Sequence, residues 1–229
     1  MYWHWRALGL VVMVAVVMLP GCAPPVADTT PESDLQEPAT DVPATSFPTL
    51  PPPTSVDASG NPCGAPPVVV PTPGHDPGYA RLDLPTGLHV TGKMQLVDLV
   101  TYRLRVKGRV EHPLELTYDE IRCLPKVEAS PELNCPGLFV DEATWAGVPI
   151  ADVLDLAGVQ AGARWVKFVS ADGYTTSLDL EQALDRANFL AYEWEGQPLP
   201  RLHGFPLRVV IPGVPGSQWT KWVVEMVVQ

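Results

Sequence analysis

A mixed α+β domain carried behind a long unstructured tether is the architecture this sequence predicts, on three observations. From Tyr102 onward, short apolar runs of strand type are interspersed with brief helical patterns. Sixteen of the 27 prolines fall between Pro24 and Pro85, which separates a proline-rich stretch from the patterned one. The chain also opens on an apolar run, Ala7 to Leu19, that stops at Leu-Pro-Gly-Cys.

The opening run follows Arg6 and is too short to span a bilayer comfortably, so residues 1–22 are predicted to be a secretion signal. Its ending, Leu19-Pro20-Gly21-Cys22, resembles a bacterial lipobox. That resemblance implies lipidation at Cys22 and an extracytoplasmic protein held by lipid at the cell membrane or outer membrane; with Ala23 next, the aspartate that often marks inner-membrane retention is absent. Residues 23–80 contain acids but no Lys or Arg and too little apolar surface to offset their ordering entropy, so a disordered tether is expected. Seven acids there, Asp28, Glu32, Asp34, Glu37, Asp41, Asp57 and Asp76, account for much of the formal net charge of −11. The folded domain is expected over 81–229; it is mildly acidic and shows no basic stripe or stacking aromatics, which argues against a nucleic-acid partner.

Within that domain Tyr102–Lys107 alternates as a strand and Gly108 ends it. Thr117-Tyr118-Asp119-Glu120 has capping-box spacing, predicting a short helix through Arg122. Val127–Asn134 reads as a strand leading into Cys135-Pro136-Gly137. Pro149 opens a helix whose Ile150, Val153, Leu154 and Ala157 share one face before Gly158 caps it. Strands are expected at Trp165–Val169, Phe189–Glu193, Leu207–Ile211 and Trp222–Val228, and a helix at Leu180–Asp185.

The chemistry concentrates between Leu190 and Trp222, LAYEWEGQPLPRLHGFPLRVVIPGVPGSQWTKW, where His203 and Arg208 flank an apolar strand and Lys221 follows a glycine loop. An imidazole, a planar guanidinium fork, a mobile ammonium and exposed backbone N–H groups suit an anionic ligand, although these residue types alone also suit a hairpin with solvated charges. If Cys22 carries lipid, three cysteines remain, and outside the cytoplasm an odd count leaves one thiol over or on a metal. Cys123 pairs with Cys135 and leaves Cys63 idle, or Cys63 pairs with Cys123 and frees Cys135; the sequence admits both. His75 and His112 have no clustering partner, which gives little support to a zinc site.

The order of residues in Leu190–Trp222 resembles the molybdenum-cofactor domain of sulfite oxidases and plant-type nitrate reductases, nearly without gaps. The resemblance extends over roughly Tyr102 to Val228 and implies a compact mixed-sheet domain around molybdopterin. It implies that Cys135 ligates molybdenum, since it precedes an aromatic and Trp-Ala-Gly-Val-Pro as the ligating cysteine does in the related domains. It further implies cofactor contacts from His203 and Arg208, a loop of Trp219, Thr220 and Lys221 closing on the pterin phosphate, and a polar contact from Ser170 or Asp172. An oxidoreductase is then expected, performing two-electron chemistry, most simply oxygen-atom transfer, on a small-molecule substrate. The alternative is a binding module that keeps the fold without the metal. No Cys-x-x-Cys-His haem motif occurs, so a separate electron-transfer partner is implied. Leu202 stands where the family has an acid, Gln218 replaces a common basic residue, proline follows Cys135, and Arg81–Thr101 shows no clear equivalent of the family's cofactor-clasping upstream segment. Sulfite or nitrate as substrate does not follow from the resemblance.

Overall fold

A computed structural model describes residues 63–229. The expected signal sequence, the Cys22 lipidation site and most of the expected tether lie outside the described residues. The first regular structure is a small ribbon of β1 (Leu82–Asp83) and β2 (Leu88–His89). There follow β3 (Leu104–Gly108), β4 (Leu114–Leu116), α1 (Tyr118–Arg122), β5 (Val127–Ala129), the hairpin of β6 (Leu133–Cys135) and β7 (Phe139–Asp141), β8 (Trp145–Pro149) and α2 (Ile150–Ala157). The remainder comprises β9 (Trp165–Ser170), β10 (Thr175–Asp179), α3 (Leu180–Leu184), β11 (Phe189–Trp194), β12 (Gln197–Pro198), β13 (Arg208–Val210) and β14 (Val223–Val228).

Two sheets carry the core. One has the order β10-β9-β14-β3-β4, in which β14 runs parallel to β3 and every other pairing is antiparallel. The other has the order β12-β11-β8-β5, with β13 also pairing with β11. In β3 the buried Leu104 and Val106 alternate with exposed Arg105 and Lys107, as a strand with one wet face requires. All five residues of β8 are buried, so it is covered on both faces.

The local signals act as expected at the helices. The Thr117 hydroxyl accepts from the Glu120 backbone N–H at 3.2 Å, and the Glu120 carboxylate accepts from the Thr117 N–H at 2.7 Å, completing the capping box of α1. In α2, Ile150, Val153, Leu154 and Ala157 are buried, and Gly158 ends the helix at φ 67°, in the left-handed region that favours glycine. The single strand expected over Val127–Asn134 is corrected: it divides into β5, which pairs with β8, and β6, which pairs with β7. Pro131 lies between them and has no N–H to give a ladder.

Two further expectations meet the structure at Cys63. It is bonded to Cys123, and Cys135 is free, so the Cys123–Cys135 pairing is set aside. Residues 63–80, expected to belong to the tether, are instead strapped to the domain. Besides the disulfide, Arg122 Nη2 donates to the Pro66 carbonyl at 3.0 Å and Arg201 Nε to the Pro71 carbonyl at 2.6 Å. The proline-rich composition misplaced this boundary because proline needs no internal ladder and an extended segment can be held by side chains from the domain.

Candidate functional site

A cleft of about 480 Å³ opens where the β6–β7 hairpin, the loop after β9 and the loop ahead of β14 meet. Its wall includes Cys135, Ser170, Asp172, Trp219, Thr220 and Lys221, so six of the eight residues proposed from the sequence as metal or cofactor contacts come together there. Arg208 and His203 lie behind the wall, and Cys22 is outside the described residues.

Lys221 is buried and donates to the carbonyls of Thr91 and Leu202, the latter at 3.0 Å. An ammonium has three N–H donors, so one remains for a ligand in the cleft. Its Nζ also lies 4.5 Å from the Trp222 ring centre. Burial, aided by the nearby Arg208 charge, brings Lys221 down to about 7 from its usual range. Trp222 itself sits at φ 50°, a costly conformation for a bulky side chain, and its indole donates to the Arg201 carbonyl at 2.8 Å. That backbone reversal immediately after Lys221 carries the chain from the cleft into β14.

Arg208 begins β13 in the interior. Its guanidinium carbon lies 4.8 Å from the ring centre of Trp145 and 5.6 Å from that of Trp219, and Nη1 donates to the His203 carbonyl at 3.2 Å. Its Nε is buried with no hydrogen-bond partner. Burial pushes Arg208 down to about 10, with the Cys135 thiol and Asp141 acting against that fall. Among the described residues neither Arg208 nor Lys221 forms an ion pair. Two buried cations lacking a carboxylate partner constitute a site prepared for an anion.

Cys135 ends β6 at the cleft. Burial raises its thiol, while Arg208 draws it down and Asp141 adds to the rise. Gly216, in the short turn Gly216–Gln218, lies against it: a Cβ there would stand 2.8 Å from the Cys135 sulfur and 2.6 Å from Leu133 Cδ1. Glycine therefore preserves the space beside the sulfur. Ser170 and Asp172 both line the cleft; the Ser170 hydroxyl accepts from the Asp172 N–H at 3.4 Å and Asp172 Oδ1 from the Tyr174 N–H at 2.9 Å. Thr220 shares its hydroxyl with Thr176 at 2.7 Å, and the Trp219 indole donates to the Ile211 carbonyl at 2.9 Å, so both hold the loop as well as face the cleft.

His203, expected to contact the cofactor, is also engaged within the protein. Its Nε2 lies 3.0 Å from Asp83 Oδ2 and 3.0 Å from the Thr86 hydroxyl, and the ring is buried. Burial pushes it down to about 4, against the opposing hydrogen bond to Asp83, so the neutral imidazole serves as a strut between the β1–β2 ribbon and the Arg201–His203 turn. Because the unfolded ring takes its proton near 6.5 and the folded ring near 4, stability is complete above pH 6.5 and falls as pH drops from 6.5 to 4. Urea midpoints across that window are expected to record a loss on the order of 3 kcal/mol, and His203→Gln is expected to flatten that slope.

Sequence reasoning missed Asp83, Thr86 and Thr91, which stand about 120 to 130 residues from the groups they hold. The only local sign was the Asp83–Thr86 spacing, realised as a turn in which the Thr86 hydroxyl donates to Asp83 Oδ2 at 2.7 Å. Gly216 belongs to the glycine loop ahead of Lys221, and its closeness to Cys135 depends on the packing of two distant loops.

Comparison with known proteins agrees with this geometry. Residues 91–229 match a family described as the oxidoreductase molybdopterin binding domain. Sulfite oxidase from Arabidopsis thaliana is 35% identical over 169 residues, which cover 58% of this chain and 43% of that protein, so the chain spans less than half of its length. The uncharacterized oxidoreductase YuiH from Bacillus subtilis (strain 168) is 33% identical over 137 residues, covering 59% of this chain and 69% of that one. The crystal structure of the sulfane dehydrogenase SoxCD from Paracoccus pantotrophus superposes with a TM-score of 0.56 at 26% identity, over 59% of this chain and 40% of that chain.

Proposed function

Because the chain belongs to the oxidoreductase molybdopterin-binding domain family, we propose that the cleft holds molybdenum–molybdopterin in an extracytoplasmic oxidoreductase. The observation that carries this reading is the pair of buried, unpaired cations, Arg208 and Lys221, beside the free Cys135 thiol. The residues fit the group: the orphaned Arg208 Nε and the remaining Lys221 N–H suit its phosphate, and the space kept by Gly216 leaves the sulfur accessible to a metal. When bound, the cofactor supplies two-electron redox chemistry, most simply oxygen-atom transfer.

The protein's own residues bind, orient and exclude water. Arg208, fixed by Trp145 and Trp219, presents a guanidinium that cannot swing away. Lys221 is tethered by two carbonyls and holds its proton more firmly once an anion is beside it. Cys135 provides a soft thiolate donor, favoured by the same two cations. Asp172 and Ser170 place polar atoms on the cleft wall for the pterin. Arg208→Met keeps the aliphatic stem and removes the guanidinium, and losing one charge-assisted contact costs about 1.5–3 kcal/mol, roughly ten- to a hundredfold in affinity. In a host that makes the cofactor, the variant is expected to keep its circular dichroism and lose molybdenum and pterin in parallel. Full occupancy in the variant would overturn the assignment of Arg208.

The apolar run ending at Cys22 supports a lipid anchor for this domain, and the Cys63–Cys123 disulfide suits an oxidising compartment. A small molecule is the substrate in this reading, with electrons passing to or from a separate partner. Cys22→Ser is expected to move the folded protein from the membrane pellet to the soluble fraction. A variant that still sediments with membrane after a salt wash would exclude lipidation as the attachment.

A further inference from the structure

We infer that the end of the first sheet that carries Trp165 is a docking surface for an anionic phospholipid membrane. The inference goes beyond the cofactor reading and does not depend on lipid at Cys22. Its first observation corrects the expectation of no basic stripe in this domain. Arg105 and Lys107 lie on the outer side of β3, their side chains 54% and 53% exposed, while Leu104 and Val106 are buried. Arg103 stands two residues before them and Arg109 follows at the strand's end, both exposed. Strand alternation thus lines up cations that composition alone spreads over an acidic chain. Register adds Lys167: it lies opposite Val227 of β14, which lies opposite Lys107, so the two lysines stand two strands apart, about 10 Å.

The second observation is that this charge is only partly neutralised and has an exposed indole beside it. Glu225 is shared by Lys107 at 2.9 Å and Arg105 at 3.5 Å, and the exposed Glu115 of β4 lies opposite Arg105. Arg103, Arg109 and Lys167 form no ion pair among the described residues. Trp165, 50% exposed, is on the same side of β9 as Lys167. Asp179 lies opposite it on β10, and its Oδ1 accepts the Gln182 N–H at 2.8 Å. An amphipathic ring among cations suits a headgroup layer, where tryptophan concentrates and each Lys or Arg near an anionic leaflet adds about fivefold in affinity. Acids elsewhere in a chain of net charge −11 oppose this weakly, because physiological salt screens exposed charges beyond about 8 Å. Nucleic acid fits less well, since Trp165 has no ring partner among the described residues and the face offers no row of stacking platforms.

The sheet also fixes the orientation. β9 runs from Trp165 to Ser170, a cleft residue roughly 16 Å along the strand, and β14 returns from beside Lys221 to Val228. Docked by its Trp165 end, the domain keeps the cleft mouth turned from the bilayer and open to water.

The full chain carrying Cys22→Ser, so that no acyl chain contributes, is titrated with vesicles of phosphatidylcholine alone and of equal parts phosphatidylcholine and phosphatidylglycerol, and binding is read by cosedimentation. Binding about tenfold or more tighter to the anionic vesicles is expected at low salt, with the preference lost at high salt. Lys107→Gln/Arg109→Gln/Lys167→Gln is expected to remove most of that preference and Trp165→Ala to weaken anionic binding about threefold or more, whereas the charge-matched Lys93→Gln/Lys126→Gln/Arg186→Gln stays within about threefold. Acetic anhydride labelling needs no variant of the face: anionic vesicles are expected to protect Lys107 and Lys167 and to leave Lys93 and Lys126 reactive. Equal binding to the two vesicles, a face variant that matches its control, or unprotected Lys107 and Lys167 overturns the inference. Binding to double-stranded DNA that is tighter than to the anionic vesicles and is lost in the face variant reassigns the surface to nucleic acid and overturns the lipid assignment.

Discussion

Cys135→Ser is expected to reduce redox turnover to background in a protein that still carries pterin. The substitution is nearly isosteric, and Cys135 takes no part in the Cys63–Cys123 bond, so no covalent tie is lost. What changes is the donor. Burial raises the Cys135 thiol while Arg208 and Lys221 act in the opposite direction, and a thiol under that balance still ionises when a metal claims it. A serine hydroxyl is harder and ionises far less readily, which makes it a poor ligand for a soft site. Arg208 and Lys221 are untouched, so pterin content should stay close to wild type. Metal and pterin analysis, dye-linked turnover and a melting curve on one preparation test this directly. Wild-type turnover in the serine variant would remove Cys135 from the metal's ligands.

Gly147→Ala is expected to prevent folding. A Cβ on Gly147 would lie 1.9 Å from the Leu190 carbonyl oxygen and 2.6 Å from the Ala191 Cα. Both are backbone atoms of β11, the strand paired with β8, so no rotamer change relieves the contact. β8 is buried along its whole length, and its separation from β11 would open the centre of the second sheet. A clash of this kind belongs to the rare class costing more than about 4 kcal/mol, a large part of the roughly 5–15 kcal/mol that holds a domain folded. Soluble yield and urea unfolding provide the measurement. Gly173→Ala, where a Cβ meets nothing within 4 Å, serves as the comparison and should cost only the modest strain of its φ of 87°.

Where the sequence could be read and where it could not follows from the range of the forces involved. The capping box at Thr117 and the Pro149–Gly158 frame of α2 involve neighbours within a turn, and both are found as expected. The Leu190–Trp222 stretch supplies Trp219, Thr220 and Lys221 to the cleft and Arg208 behind it, because one strand and one loop bring them near one another. The parallel pairing of β3 with β14 joins positions some 120 residues apart and leaves no local trace. The same is true of His203, whose Nε2 is met by Asp83 and Thr86 from the far end of the domain. The break between β5 and β6 was visible in Pro131, but apolar periodicity on either side masked it.

The bond between Cys63 and Cys123 makes residues 63–123 a covalently closed ring. A protease that cuts one bond inside this ring, for instance near the exposed Val69, opens it without producing a free fragment. The nicked chain runs as one band without reductant and as two with it. Whatever is attached through residues 1–62 therefore stays joined to the cleft-bearing part after such a cut, whereas a single cleavage ahead of Cys63 sheds the domain whole. Proteolytic release thus has its boundary at a cysteine, and reduction converts a silent nick into detachment.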